Sequence, residues 1–328
     1  MPNERLKKYL NDIVWWIPSR KLRDFIRELV DTILEIKEQN DVLLKLYNAK
    51  DNYQYIVIQM VAGFTDQLSL YRKAYSLEKL YNKKVLYDIS WYKEYGKDDI
   101  GMYNRNFELL NIFNDLSFKI ATDNEILIAK QFFIDGKYYD DIYITNIIKN
   151  SNILYLNNWA VFKANIKTVD FNEIFDLDKY ILPKLDNDNK RVYEDIKNSK
   201  HSVACHIRRK DYLTPGNRKY ILDENYFIKA IEKINEKLKE KLKIYFFSDD
   251  MDWVKEKLIP LVKNKYDYLA VDINDNDKGY FDFYLISNCK YQIASEGHFC
   301  SYAHMFFNKY KNKILITPND IDKKYMRN

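Results

Sequence analysis

Two adjacent arginines, Arg208 and Arg209, stand directly after an apolar run at 202–207. A guanidinium group keeps its charge at physiological pH, and its planar fork pairs with two phosphate oxygens at once. In open α/β sheets, ligands bind in the crevice beyond the carboxyl ends of the strands, and this pair occupies such an end. Position and chemistry therefore indicate an anionic ligand, although a solvated charge pair also satisfies the pattern.

The spacing of the glycines argues against a dehydrogenase with a dinucleotide-binding fold. The chain has 7 glycines in all, and none are spaced as Gly-x-Gly-x-x-Gly, the turn on which dinucleotide-binding folds hold phosphate. A dehydrogenase is therefore not expected. Asp275 and Asp277 form an Asp-x-Asp pair of a kind that binds metal, but no apolar strand leads into their polar loop. We expect no metal site.

The apolar pattern shows which elements position these residues. Residues 51–195 begin with a strand at 55–61, a helix at 67–81 and a strand at 84–88, which together form a βαβ unit. A polar segment at 185–190, followed by a short helix, marks the connection to residues 196–328. There the alternation is regular, with strands expected near 202–207, 243–248, 267–272, 290–294 and 313–317 and helices near 224–240, 250–264, 279–288 and 299–308. The sequence thus predicts an α/β fold of two Rossmann-type domains facing a cleft.

Residues 1–50 form a separate helical arm. Apolar residues recur at helical spacing from Leu22 to Leu46, which predicts one amphipathic helix of about 25 residues. Trp15 and Trp16 lie among lysines and arginines, a combination typical of a segment on an anionic membrane surface. The same apolar stripe also suits packing on the body of the protein or pairing with a second copy. We expect peripheral attachment to the inner face of the cytoplasmic membrane, with homodimerisation as the alternative.

The composition indicates how large a core the chain can bury, whether it binds nucleic acid, and in which compartment it is found. With 47% hydrophobic residues, a chain of 328 residues can bury one large core or two medium ones. A net charge of only +5, spread over mixed-sign stretches, does not indicate a basic surface for binding nucleic acid. Three cysteines without a Cys-x-x-Cys pair indicate a reducing compartment, and the apolar run at 13–17 is too short for a signal peptide or a membrane span. We therefore expect a cytoplasmic protein.

Several segments, in order, resemble the α-1,2-fucosyltransferases of glycosyltransferase family 11. Residues 206–212 read His-Ile-Arg-Arg-Lys-Asp-Tyr, which is similar to the family's His-x-Arg-Arg-x-Asp-Tyr. Residues 226–231, 245–254 and 282–290 resemble its later motifs, and 58–68 resembles its opening strand and glycine-containing turn. The resemblance thus covers about 55–320 and leaves the helical arm outside.

The resemblance implies a GT-B fold and an inverting transfer of fucose from GDP-fucose to a galactoside-type acceptor in α-1,2 linkage. That acceptor would be an oligosaccharide or lipid-linked glycan of surface polysaccharide or lipopolysaccharide synthesis. Residues 51–195 become the acceptor-side domain and 196–328 the GDP-sugar-binding domain. The arginines would hold the diphosphate without a metal, and Asp249 or Asp250 would accept hydrogen bonds from guanine, unless they cap the following helix.

The donor-binding residues implied in this way are His206, Arg208, Arg209, Ser248, Asp249, Asp250, Ser295 and His298. Three carboxylates, unranked, are candidates for the general base that deprotonates the acceptor hydroxyl: Asp66, Asp211 and Glu296. His298 and His304 are expected to be structural helix residues and not catalytic.

The chain departs from the family pattern at two segments expected to face the cleft. Residues 63–67 read Gly-Phe-Thr-Asp-Gln where the family has Gly-Leu-Gly-Asn-Gln, and 295–301 replace an Asn-Ser-x-Phe-Ser-Trp-Trp segment. In the second segment, backbone N–H groups near His298 could still face a phosphate. Two alternatives stay open: a transferase with another GDP-sugar or linkage, and a homologue that binds nucleotide or partner proteins without catalysis.

Overall fold

Two parallel β-sheets organise the computed structural model, which describes residues 9, 12, 14, 16–48, 54–96 and 105–322. The first sheet has four strands in the order β2-β1-β4-β3, and the second has five in the order β7-β6-β5-β8-β9. Every strand pair is parallel. The expected α/β, GT-B-like fold with an N-terminal amphipathic helix is therefore confirmed.

The strands of the first sheet are β1 (Tyr55–Gln59), β2 (Val85–Asp88), β3 (Phe133–Ile134) and β4 (Ile153–Leu156). Those of the second are β5 (Ser202–Ile207), β6 (Lys243–Ser248), β7 (Asp267–Val271), β8 (Tyr291–Ile293) and β9 (Ile314–Ile316). Their central strands are continuous apolar runs because a parallel sheet is covered on both faces. β5 lies in the middle of its sheet, so its carboxyl end opens between the ends of β6 and β8.

The longer helices are α1 (Arg20–Asn48), α2 (Phe64–Tyr81), α5 (Asp123–Lys130), α6 (Asp141–Asn150), α9 (Asn187–Asn198), α10 (Glu224–Leu238) and α13 (Gly279–Asn288). The short α-helices are α3 (Ser90–Glu94), α4 (Leu109–Ile112), α7 (Asn158–Lys163), α8 (Leu177–Tyr180), α11 (Met251–Trp253), α12 (Ile259–Val262) and α14 (Phe299–Tyr302). π-helical turns at Val254–Leu258 and Ala303–Phe307 extend α11 and α14. Single 3₁₀ turns lie at Phe171–Glu173, Leu182–Lys184, Lys210–Leu213, Arg218–Tyr220, Asn276–Lys278 and Pro318–Asp320.

One hydrophobic cluster joins the two sheets. It includes Ile58 of β1 as well as Tyr245 and Phe247 of β6. At the first turn of α2 the Phe64 ring meets the Phe283 ring of α13 edge to face, with centroids 5.3 Å apart. Aromatic pairs in this geometry are stabilised beyond the area that they bury. The two sheets therefore share a core, and the proposed division near residue 195 stays a prediction.

The predicted elements of residues 196–328 are confirmed to within about three residues, whereas two boundaries elsewhere were wrong. The polar segment at 185–190 is not a simple connection, because α9 begins inside it at Asn187. The Asp186 side chain accepts a hydrogen bond from the Asn189 backbone N–H (3.0 Å) and so caps this helix. β1 ends at Gln59 and α2 begins at Phe64, earlier than expected, because Ala62 turns the chain with φ 65°.

The arm helix is α1, at 29 residues close to the expected length. Trp15 lies outside the described residues. No helix in the described part of the chain is long and apolar enough to cross a membrane.

Gly136 provides a test of the packing of the first sheet. A Cβ atom there would lie 2.2 Å from the Ala160 nitrogen and from the Trp159 carbonyl carbon, both backbone atoms of α7. We expect Gly136→Ala to lower the free energy of unfolding by about 3 kcal/mol, since overpacked sites of this kind force the backbone to move. Chemical denaturation measures the change. Gly216→Ala is the control because its Cβ meets nothing within 4 Å; equal stability of the two variants would contradict the packing described.

Candidate functional site

Arg208 follows the last residue of β5 and is held in place by a buried carboxylate. Its Nε donates to Oδ1 (3.1 Å) and Oδ2 (2.9 Å) of Asp211, and its Nη2 also contacts Oδ2. Asp211 is 6% exposed, so its charge is shielded from water and requires this partner. The pairing fixes the plane of the guanidinium group before any ligand arrives.

An aromatic ring and a glycine complete the surroundings of Arg208. Its guanidinium carbon lies 4.7 Å from the centroid of the Tyr212 ring, within cation–π range. The Tyr212 hydroxyl donates to the Glu296 carbonyl (3.4 Å), which brings the turn after β8 over the arginine. Gly297 has φ 101°, and a Cβ there would lie 3.0 Å from Nη1 of Arg208. Glycine at 297 therefore gives both the backbone conformation and the space that the guanidinium needs.

Arg209 is turned in a different direction. Its Nε lies 3.2 Å from Oδ2 of Asp250, its guanidinium carbon 4.0 Å from the Trp253 ring centroid, and its Nη1 donates to the Leu222 carbonyl (3.4 Å). Its side chain is 12% exposed, against 32% for Arg208. Arg209 thus braces the loop after β5 against the helix after β6, and Arg208 is the arginine that faces outward.

The two aspartates of the Ser-Asp-Asp turn have separate structural roles. Asp249 accepts hydrogen bonds from the backbone N–H groups of Arg209 (2.8 Å) and Lys210 (3.2 Å). Asp250 caps α11 with its side chain, and its own N–H donates to the Ser248 hydroxyl (2.9 Å). Capping is therefore established for Asp250, while recognition of guanine by either carboxylate stays a prediction.

His206 borders Arg208 as a neutral ring. Burial, with help from the Arg208 charge, lowers the pKa of His206 to about 3, although Asp211 opposes the shift. Its Nδ1 lies 3.1 Å from the hydroxyl of Ser295, and its ring stacks on Phe299. A neutral imidazole adds no charge beside the arginine, so His206 and Ser295 shape the site and leave its electrostatics to Arg208.

Asp66 lies on the first turn of α2, in the half of the protein that contains the first sheet, and its carboxylate interacts electrostatically with Arg208. Burial raises the pKa of Asp66, while the charges of His298, Arg105 and Arg208 lower it in part. Two of these residues, Arg208 and His298, belong to the segments after β5 and β8, so Asp66 lies within electrostatic range of the carboxyl end of the second sheet. The structure brings together the carboxylate from the altered Gly-Phe-Thr-Asp-Gln turn and the outward-facing arginine.

The other two base candidates lie beside Arg208. Both carboxylate oxygens of Asp211 accept hydrogen bonds from Arg208, so this carboxylate is already occupied in holding the guanidinium group. Glu296 is partly buried in the turn over Arg208, and its carbonyl accepts the Tyr212 hydroxyl. The Asp66 carboxylate takes no part in the ion pair between Arg208 and Asp211.

The two histidines of the last helical segment differ. His304 is buried with Nδ1 2.5 Å from the Gln292 Oε1, and burial lowers its pKa to about 4. It is a structural residue, as expected. His298 is exposed at the start of α14, where its ring contacts the Tyr302 ring at a tilted angle and lies within electrostatic range of Asp66. His298 thus lines the site instead of the core.

The buried Gln67 side chain connects the first turn of α2 to the segment 106–109, a role that was not recognised from the sequence. Its Nε2 donates to the Ala62 carbonyl (3.2 Å) and the Asn106 carbonyl (2.9 Å). Its Oε1 accepts from the backbone N–H groups of Glu108 (3.0 Å) and Leu109 (3.2 Å). Because these four bonds use the full capacity of the amide, Gln67 fixes the segment 106–109 against the first turn of α2.

Glu108 lies on that segment and Arg105 directly precedes it; both were also missed from the sequence. Burial raises the pKa of Glu108 to about 7; Arg105 lowers it and Asp277 raises it. No apolar pattern could identify these residues, since they lie in irregular structure and reach the site only through tertiary contacts.

The Asp275–Asp277 loop contacts the first half of the protein. The Asp277 side chain accepts a hydrogen bond from the Asn106 amide (3.3 Å), which links the two halves of the protein. Within the described residues, no group of three or more His, Cys, Asp or Glu side chains could hold a metal ion.

Residues 155–328, just over half of the chain, match the family model described as Glycosyl transferase family 11. The chain belongs to glycosyl transferase family 11. The matched region contains Arg208, Asp211, the Ser-Asp-Asp turn and Gly297, but not Asp66. The transferase activity expected from the sequence motifs is thus confirmed at the level of the family.

No curated protein matches this chain in sequence. Among solved structures, it is similar to the fucosyltransferase NodZ from Bradyrhizobium, with 14% identity and a TM-score of 0.44 over 78% of this chain and 94% of that one. It is also similar to Arabidopsis thaliana FUT1 in complex with GDP, with 12% identity and a TM-score of 0.46 over 95% and 83% of the two chains. POFUT1 in complex with GDP has 10% identity and a TM-score of 0.39 over 81% and 99%.

The bracing role of Arg209 can be tested by stability. In Arg209→Ala, Asp250 loses its partner and Trp253 loses its stacked cation, so we expect the free energy of unfolding to fall by about 2–3 kcal/mol. Arg191→Ala is the control, since the Arg191 and Asp188 side chains of that ion pair are 80% and 66% exposed; it should change stability by less than about 0.5 kcal/mol. Urea denaturation compares them, and an Arg209→Ala variant as stable as the control would show that Arg209 is not a brace.

Proposed function

We propose that the chain transfers fucose from GDP-fucose, with inversion, to the 2-hydroxyl of a galactoside-type acceptor. The observation that carries the proposal is the outward-facing guanidinium of Arg208, fixed by Asp211 at the end of the central strand and opposed by Asp66. The resemblance to α-1,2-fucosyltransferases supplies the donor and the linkage. By the same resemblance, the acceptor is an oligosaccharide or lipid-linked glycan of surface polysaccharide or lipopolysaccharide synthesis, reached from the cytoplasm.

In this mechanism Arg208 stabilises the leaving group. As the bond between fucose and phosphate breaks, negative charge grows on the diphosphate, and a preoriented guanidinium stabilises that charge more than it stabilises the intact donor. Asp211 and Tyr212 keep the guanidinium in place throughout, so no reorientation is needed. The neutral ring of His206 and the Ser295 hydroxyl shape the adjoining wall.

Asp66 is the general base of the proposed reaction. An inverting transfer needs a carboxylate on the face of the sugar opposite the leaving diphosphate, within reach of the acceptor hydroxyl. Asp66 belongs to the other half of the protein and lies within electrostatic range of Arg208, and its raised pKa makes it a stronger base than an ordinary aspartate. It accepts the acceptor's proton while the oxygen attacks the sugar carbon and the pair of electrons leaves with GDP.

A donor screen tests the proposed function. We expect turnover of GDP-fucose above GDP-mannose and UDP-sugars, retention of that activity in EDTA because Arg208 supplies the positive charge, and inhibition by GDP about 10²-fold stronger than by UDP. Arg208→Lys keeps a charge for Asp211 but loses the planar fork, so turnover should fall on the order of 50-fold. GDP binding without turnover of any sugar would identify a non-catalytic homologue, and preference for another GDP-sugar would correct the donor.

The role of Asp66 predicts a pH dependence. The base works only when ionised, so kcat/KM should fall as the pH drops through the raised pKa of Asp66, at a pH above the ordinary value of 3.8. Asp66→Asn should lower kcat about 10²- to 10⁴-fold and abolish this acid limb. The comparison variant is Asp211→Asn, which loosens Arg208 and should raise the donor KM while keeping the limb. An Asp66→Asn enzyme with the wild-type limb would assign the base to another group.

A further inference from the structure

Helix α1 presents an apolar stripe to solvent. Its members are 47–58% exposed and lie on one side of the helix: Leu22, Phe25, Leu29, Ile33 and Ile36. At 100° per residue they fall within a sector about 80° wide and extend about 21 Å along the axis. A neighbouring apolar stripe on the same helix is less exposed to solvent. Its last member, Leu34, is 5% exposed. The helix therefore uses one apolar face internally and leaves another open.

The spacing of the exposed stripe is symmetric about Leu29. Phe25 and Ile33 lie four residues to either side of Leu29, and Leu22 and Ile36 lie seven residues to either side. If two such helices pack antiparallel about a two-fold axis at Leu29, each apolar residue meets an apolar residue of the other copy. Leu29 meets itself, Phe25 meets Ile33, and Leu22 meets Ile36. A two-fold interface requires this kind of self-complementary surface.

The charges along α1 favour the same antiparallel arrangement. Residues 20–27 contain four basic residues and one acidic residue, whereas 28–37 contain three acidic residues and one basic residue. An antiparallel pair places the basic half of one helix beside the acidic half of the other, while a parallel pair places like charges together. On the helix surface, Lys21 and Glu35 flank the stripe on the same side and at opposite ends. The antiparallel arrangement brings Lys21 of one copy beside Glu35 of the other, twice per dimer.

We propose that the exposed face of α1 binds the same face of a second copy of this chain, antiparallel and centred on Leu29. An anionic membrane surface is the competing occupant, suggested by the tryptophans and basic residues of the arm. The described part of α1 fits a membrane less well, because Asp24, Glu28, Asp31 and Glu35 are spread along it and an anionic surface would repel them. A single stripe of five side chains makes a small interface, so we expect a reversible dimer.

Sedimentation equilibrium of the full chain, from about 1 to 100 µM, tests the association. We expect a monomer–dimer equilibrium whose dissociation constant rises at least about tenfold in Leu29→Glu, since each copy would place a carboxylate at the two-fold axis. Leu127→Glu is the matched control, because Leu127 is an equally exposed leucine (49%) on a different helix. It should associate like the wild type.

Cysteine cross-linking tests the orientation. Chains carrying Leu22→Cys and chains carrying Ile36→Cys should form a disulfide with each other when mixed and oxidised, and neither should cross-link with itself. The natural cysteines are all buried and do not interfere. Self-cross-linking of Leu22→Cys would show a parallel pair and overturn the proposed geometry.

A chain that stays monomeric over the whole concentration range overturns the proposal. Co-sedimentation with vesicles containing an anionic phospholipid then identifies the alternative: binding that is lost in Leu29→Glu and kept in Leu127→Glu would assign the stripe to the membrane surface. Neither result depends on the transferase activity, so the outcome is independent of the proposed function.

Discussion

The ion pair between Arg208 and the buried carboxylate of Asp211 is the interaction on which the site depends. A carboxylate with so little access to water is stable only beside a cation, so the pair persists without substrate. Because the contact is bidentate, it fixes the direction of the guanidinium and not only its position. The fork toward which a diphosphate would approach is therefore oriented by the protein, and little conformational entropy remains to be lost on binding.

The environments of Arg208 and Arg209 show why two adjacent and identical residues have different roles. Both follow the same strand, yet Trp253 and Asp250, which come from the helix after the next strand, hold the second arginine. Sequence analysis could locate the pair at a strand end but could not rank its members. Which of them faces outward is decided by residues some 40 positions away that become neighbours only when β5 and β6 pair.

The difference between local sequence patterns and contacts that form only on folding also explains which parts of the fold could be predicted. The strands of the second sheet were predicted to within two residues because their burial on both faces leaves continuous apolar runs. The segment 106–109 was not predicted, since its conformation depends on three hydrogen bonds with Gln67, a single side chain of another element. Asp66 appeared in the sequence only as a departure from a family pattern, and its raised pKa follows from burial that only tertiary structure creates.

The edge-to-face contact of Phe64 with Phe283 limits how this enzyme can move. These rings lie in the cluster shared by both sheets, so a wide hinge rotation of one half against the other would expose apolar side chains to water. Any opening of the site must instead use motions of surface segments, such as the 3₁₀ turn at Arg218–Tyr220. The two sheets then act as one rigid frame, and conformational change is confined to short segments at its edge.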